Sequence, residues 1–121
     1  MSSVKAAPRT DHSDSPPVWR AFYEDADRRS ASLRRALGTR VELDVSYGDD
    51  PRHLLDVYLP PPNKRTGAVF VFFHGGALVG GHPRHYGYLA AAFLERGAIF
   101  IAPGYRLLHP AAAAERDRLE H

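Results

Sequence analysis

Cysteine is absent from the 121 residues, which excludes disulfides and thiolate metal sites. No apolar run approaches the ~20 residues a membrane-crossing helix needs, and the N-terminus lacks the apolar segment of a secretory signal. The expectation is a cytoplasmic chain with no membrane partner. Serine is missing where it would matter most: all seven serines lie at or before Ser46, leaving residues 47–121 without a serine nucleophile. A basic stripe is missing too. Sixteen Lys and Arg face 14 Asp and Glu for a net charge of +2, and the two signs interleave, as in Glu24-Asp25-Ala26-Asp27-Arg28-Arg29. The pI of 9.2 therefore reflects the high pKa of arginine, and no nucleic-acid partner is expected. There is no Gly-x-Gly-x-x-Gly fingerprint. Gly75–Gly80 has the glycine spacing of a phosphate-binding loop, but Gly81 and His82 stand where Lys and Ser or Thr belong, so phosphate charge would go unpaired. No cofactor is expected.

What remains is ordered. Residues 1–17 hold Ser, Thr, Asp, Lys and three prolines, and read as a disordered tail. Residues 18–38 read as an N-terminal amphipathic helix, with Trp19, Phe22, Tyr23, Ala26, Leu33 and Leu37 at near-helical spacing and Gly38 as the stop. Its aromatics are read as packing residues rather than a functional lid. Residues 39–121 read as one α/β domain. Val41, Leu43, Val45 and Tyr47 alternate with polar residues, which predicts a half-buried strand with one wet face. Gly48-Asp49-Asp50-Pro51 is turn chemistry, His53–Leu59 is a second strand, and the two make an antiparallel hairpin ended by Pro60-Pro61-Pro62.

Ala68–Phe73 is apolar on both faces, as strands of parallel sheets are when covered on both sides. A helix is predicted over Tyr86–Arg96, with Gly97 as its cap, followed by a second such strand at Ala98–Ala102. Strand, helix, strand predicts a right-handed βαβ crossover. Pro110–Glu120 reads as a weaker helix. Between the first parallel strand and its helix lies His74-Gly75-Gly76-Ala77. Amides in such a Gly-rich turn converge on one spot, where an oxygen gaining negative charge is stabilised. His82 and His85, three apart, invite a metal reading, but no acid joins them and Pro83 interrupts the helix, so they read as loop histidines near a cleft.

Leu55-Asp56-Val57-Tyr58-Leu59-Pro60, Val69–Phe73, His74-Gly75-Gly76-Ala77 and Tyr105-Arg106-Leu107, in this order, resemble the α/β-hydrolase fold. The nearest branch is that of esterases and lipases related to hormone-sensitive lipase, which includes kynurenine-formamidase-like enzymes. The resemblance implies the N-terminal part of a hydrolase sheet that cleaves small carboxylic esters or amides. The oxyanion hole falls on Gly75, Gly76 and Ala77, with Gly76 and Ala77 donating and Gly75 allowing the tight turn. His74, Tyr105 and Arg106 become structural supports, the last two as buried anchors. The family's triad runs serine, acid, histidine, all after this turn, and no Gly-x-Ser-x-Gly elbow occurs here. No catalytic residue is therefore assigned; a shortened gene or a frameshift would give this pattern, and the chain alone is expected to be inactive. The resemblance also places Ala98–Ala102 between the second and third strands. That makes Ala68–Phe73 an open edge, prone to self-association. The alternative is a non-catalytic binding or assembly module, or one half of a split hydrolase.

Overall fold

Pro17 occupies the first position of helix α1 (Pro17–Leu37), where its fixed φ is already helical and its missing N–H would have had no partner. Gly38 ends the helix at φ +57°, and its N–H returns to the Arg34 carbonyl. Ala26 and Ser30 are buried, and Leu33 and Leu37 continue the same stripe onto the core. The computed structural model describes residues 16–76 and 80–108. The sequence-predicted tail is thus described only at Pro16 and Pro17, and the helix read at Pro110–Glu120 lies outside the described residues. At the other end of α1, Trp19 stays 54% exposed and Phe22 is exposed as well, so the expected packing of the aromatics holds for Tyr23, which meets the His85 ring at 5.0 Å, and not for these two.

Strands β1 (Val41–Ser46) and β2 (Leu54–Tyr58) form the antiparallel hairpin. The Asp50 carboxylate accepts from the Arg52 N–H at 2.9 Å and the Asp50 carbonyl accepts from the His53 N–H at 2.9 Å, closing the turn. The regular alternation expected in β1 is broken. Val41 pairs with Tyr58 and Glu42 with Val57, but Val45 pairs with Leu55, a slip of one residue. This bulge places Val41 and Val45 on opposite faces and leaves Leu43 exposed. Asp44, at its centre, has φ +57°, an uncommon conformation for a residue with a side chain.

Strand β3 (Val69–Val71) pairs in parallel with β4 (Ile99–Pro103), and β4 pairs antiparallel with β2, giving the order β1-β2-β4-β3. Between β3 and β4 the chain forms a 3-10 segment, Pro83–Leu89, before a short helix α2 (Ala90–Glu95). The expected helix from Tyr86 is therefore α-helical only from Ala90. Gly87 explains part of this: a Cβ there would lie 2.3 Å from the Tyr58 hydroxyl, so the segment packs tightly against β2.

One face of the sheet carries the core. Tyr58, Ala90, Leu94, Phe100 and Ala102 are buried together, with Leu33, Leu37, Phe72 and Phe93 packed against them. The Phe70 ring stacks on Phe93 at 3.9 Å and lies 5.9 Å from Phe100. Helix α1 is fastened to the 3-10 segment. The buried Ser30 hydroxyl donates to the His85 carbonyl at 3.1 Å and accepts from the Tyr88 N–H at 2.9 Å. Asp27 bonds the His85 ring, and Arg34 reaches both the Arg84 carbonyl at 3.2 Å and the Tyr58 hydroxyl at 3.3 Å. No helix among the described residues is long and apolar enough to cross a membrane.

Candidate functional site

The Gly-rich turn leaves the carboxyl end of β3, where parallel sheets collect ligands. Its first residue, His74, is 3% exposed. Its ring stacks on Tyr105 at 4.4 Å and lies parallel to Tyr86 at 6.2 Å. Nδ1 is 2.7 Å from the Gly75 carbonyl, which can only accept, so Nδ1 carries the proton and Nε2 is the bare nitrogen. Nε2 is buried and has no hydrogen-bond partner among the described residues. Burial pushes the His74 pKa down, partly offset by the Gly75 carbonyl and assisted by the charges of Arg52 and His85. The imidazole is thus neutral near pH 7, with its donor spent on the backbone. Tyr105 follows β4, and its hydroxyl donates to the His74 carbonyl. Burial raises the Tyr105 pKa, which keeps that donor protonated.

Gly75 and Gly76 are exposed, and neither N–H is hydrogen bonded to another described residue. Their roles differ from the expectation. A Cβ on Gly75 would meet no described residue within 4 Å, so none of these demands glycine there. Gly76 has φ +132°, and a Cβ on it would lie 2.1 Å from the Gly80 carbonyl oxygen. The Gly80 N–H in turn donates to the Gly76 carbonyl at 3.2 Å. Gly76 is therefore the residue that must lack a side chain. Ala77, the other expected donor, lies outside the described residues.

Arg106 is exposed and makes no hydrogen bond or ion pair with another described residue, so it is not the buried anchor expected from the sequence. The two histidines read as lying near a cleft are tied into the protein. His82 Nδ1 accepts from the Arg84 N–H at 3.1 Å, and His85 Nδ1 is bonded to Asp27. Burial first, then the charge of Arg84, lowers the His82 pKa to about 4. Their rings lie 6.5 Å apart at 83°, and among the described residues no three His, Cys, Asp or Glu come together as a metal cluster.

One cluster had no local signal in the sequence. Asp56, on β2, is 1% exposed and accepts from Arg84 Nε at 2.9 Å, from Arg84 Nη2 at 3.4 Å and from the Asp44 N–H at 3.0 Å. Arg84 Nη2 also reaches the Asp44 carboxylate at 2.7 Å. Burial lowers the Arg84 pKa, but its bond to Asp56 and the charges of Asp56 and Asp44 outweigh this and raise it overall. The Leu55–Tyr58 run marked Asp56 as part of a motif; only the fold supplies its partner, 28 residues away.

The sequence is 32% identical to kynurenine formamidase of Danio rerio over 79 residues, which is 65% of this chain and 27% of that protein. It is 37% identical to the isoprenylcysteine alpha-carbonyl methylesterase ICME of Arabidopsis thaliana over 67 residues, 55% of this chain and 16% of that protein. The fold superposes on a candidate thioesterase from Silicibacter sp. TM1040 with a TM-score of 0.68 and 25% identity, covering 87% of this chain and 38% of that one. No family model matches the chain. The chain thus spans well under half the length of these relatives. Its sequence resembles the ester- and amide-cleaving enzymes of the α/β-hydrolase fold, and its sheet is the N-terminal part of that fold.

Proposed function

We propose that this chain supplies the oxyanion-hole part of a serine hydrolase acting on carboxylic esters or amides of small acyl compounds. The amides of Gly76 and Ala77 are the donors, Gly75 leaves open space beside them, and His74 and Tyr105 hold the turn. In this reading the attacking serine, its histidine and the acid come from outside the 121 residues. The serine oxygen adds to the substrate carbonyl as its proton passes to the histidine. The carbonyl oxygen becomes an oxyanion at the Gly76 and Ala77 amides, and the histidine returns the proton to the leaving group. Each donor is worth about 2.7–4 kcal/mol of barrier in such sites. The observation that carries the reading is the exposed Gly76 amide after β3, which makes no hydrogen bond to another described residue.

The test pairs this chain with a second polypeptide carrying a Gly-x-Ser-x-Gly elbow, acid and histidine from an α/β-hydrolase esterase. Hydrolysis of p-nitrophenyl acetate and labelling by a fluorophosphonate are expected only in the mixture, and Gly76→Ala is expected to abolish both. Stoichiometric labelling of the 121-residue chain alone, or turnover indifferent to Gly76→Ala, overturns the reading. The exposed strand β3 favours a second reading alongside it: an assembly module that joins a partner, or a second copy, through Ala68–Phe73.

A further inference from the structure

Asp44, Asp56 and Arg84 come from a β1 bulge, the middle of β2 and the start of the 3-10 segment, and they meet around one guanidinium. Burying a charged pair costs several kcal/mol of desolvation before attraction returns any of it, so such a cluster is weak as mere glue. What it offers is fixed geometry, because the planar guanidinium fork locks onto carboxylates in a way a lysine cannot. The bulge that turns Asp44 onto this face costs regular pairing in β1 and a left-handed φ at Asp44.

The cluster is connected to the glycine turn by short, stiff steps. The Arg84 N–H is bonded to His82 Nδ1, and His82 follows Gly81 directly. The Gly81 carbonyl accepts from Arg52 Nη1 at 3.3 Å. A Cβ on Gly81 would lie 2.5 Å from the Gly75 carbonyl oxygen and 2.7 Å from His74 Nδ1. Gly80 and Gly81 therefore form a wall against which Gly75 and Gly76 rest. The near end of the turn is held by His74 and Tyr105; the far end hangs on Arg84.

We infer that Arg84, clamped by Asp56 and Asp44, is a positioning residue for the Gly75–Gly76 amides, acting through His82 and Gly81 and touching no substrate. Its functional meaning rests on the oxyanion-hole reading, but its geometry is testable without turnover. The experiment follows amide exchange and chemical shifts in the isotope-labelled full chain, with a urea transition as a stability control. In Arg84→Met, exchange at Gly80 is expected to rise about tenfold and the Gly75 and Gly76 resonances to move, while sheet amides such as Phe72 and Ile99 hold. Arg84→Lys, which keeps the charge and loses the fork, is expected to restore stability and leave the Gly80 defect. If Arg84→Met does not fold, Asp44→Asn carries the test with a smaller change in the same direction. Unchanged glycine signals in a folded variant, a uniform loss of protection across the sheet, or full rescue of Gly80 by lysine overturns the inference. A negative result in the paired-chain assay with these signals intact would instead fault the hydrolase reading and leave the positioning role standing.

Discussion

The two faces of the sheet are built from similar residues and have different fates. One carries Tyr58, Phe100 and Ala102, all buried under the helical layer. The other carries Leu55, Val57, Ile99, Ile101, Val69 and Val71, none of them buried, with Val69 and Val71 exposed. Both are apolar, so hydrophobic pattern alone does not say which is closed. The difference lies in what packs on them: the α1 stripe, the 3-10 segment and α2 all serve the Tyr58–Phe100 side. An expectation of strands buried on both faces is met on one face only among the described residues.

The largest expected contrast comes from truncating one residue on each face. Phe100→Ala should cost about 3–5 kcal/mol by urea denaturation, because it opens a cavity between Tyr58, Phe70 and Phe93. Val71→Ala should cost under about 1 kcal/mol. Equal losses would mean that the second face is covered in solution, and would break the comparison. A pH series sharpens it, since the helical layer holds His82. The ring's pKa is about 4 in the fold against an ordinary 6.5, so between those values the unfolded chain binds more protons. Stability is therefore full above pH 6.5 and falls toward pH 4, with a slope of at most about 1.4 kcal/mol per pH unit. His82→Asn, whose side-chain oxygen can still accept from Arg84, should flatten that slope in paired urea titrations. Flat behaviour in the parent chain would refute the half-buried, neutral ring.

Smaller effects set the fastening of α1 against the exposed parts of the sheet. Ser30→Ala removes the acceptor of the Tyr88 N–H and one donor to the His85 carbonyl, and should cost about 1–2 kcal/mol. Ser46→Ala, whose hydroxyl only meets the exposed Gly48 carbonyl, should cost under about 0.5 kcal/mol. Smallest in folding energy is Val71→Lys, expected to leave the urea midpoint of dilute protein within about 0.5 kcal/mol of the parent. It should nevertheless lower the association seen by analytical ultracentrifugation, since a lysine blocks edge pairing. Unaltered association would move any self-contact away from this edge.

The hairpin turn and the Gly38 stop were legible because each follows from nearby residues, while the strand order was legible only as what the family resemblance implies. The β1 bulge was not: Val41, Leu43, Val45 and Tyr47 alternate cleanly, and at the slip Asp44 meets Asp56 and Arg84, 12 and 40 residues away. His85 looked like a loop residue because its partner Asp27 lies 58 residues earlier. The glycine turn was recognisable as a motif, yet which glycine is obligatory depended on the Gly80 carbonyl, a contact that no spacing rule encodes. Arg106 belonged to the matched motif while the fold leaves it exposed.

Tyr105 carries a mechanical consequence. Its ring and hydroxyl lash the chain leaving β4 to the peptide group that starts the glycine turn, so the two exits of neighbouring strands move as one. Tension applied downstream of that lashing is delivered to the His74 carbonyl. A tether or fused domain attached just past residue 105 would not be a silent handle.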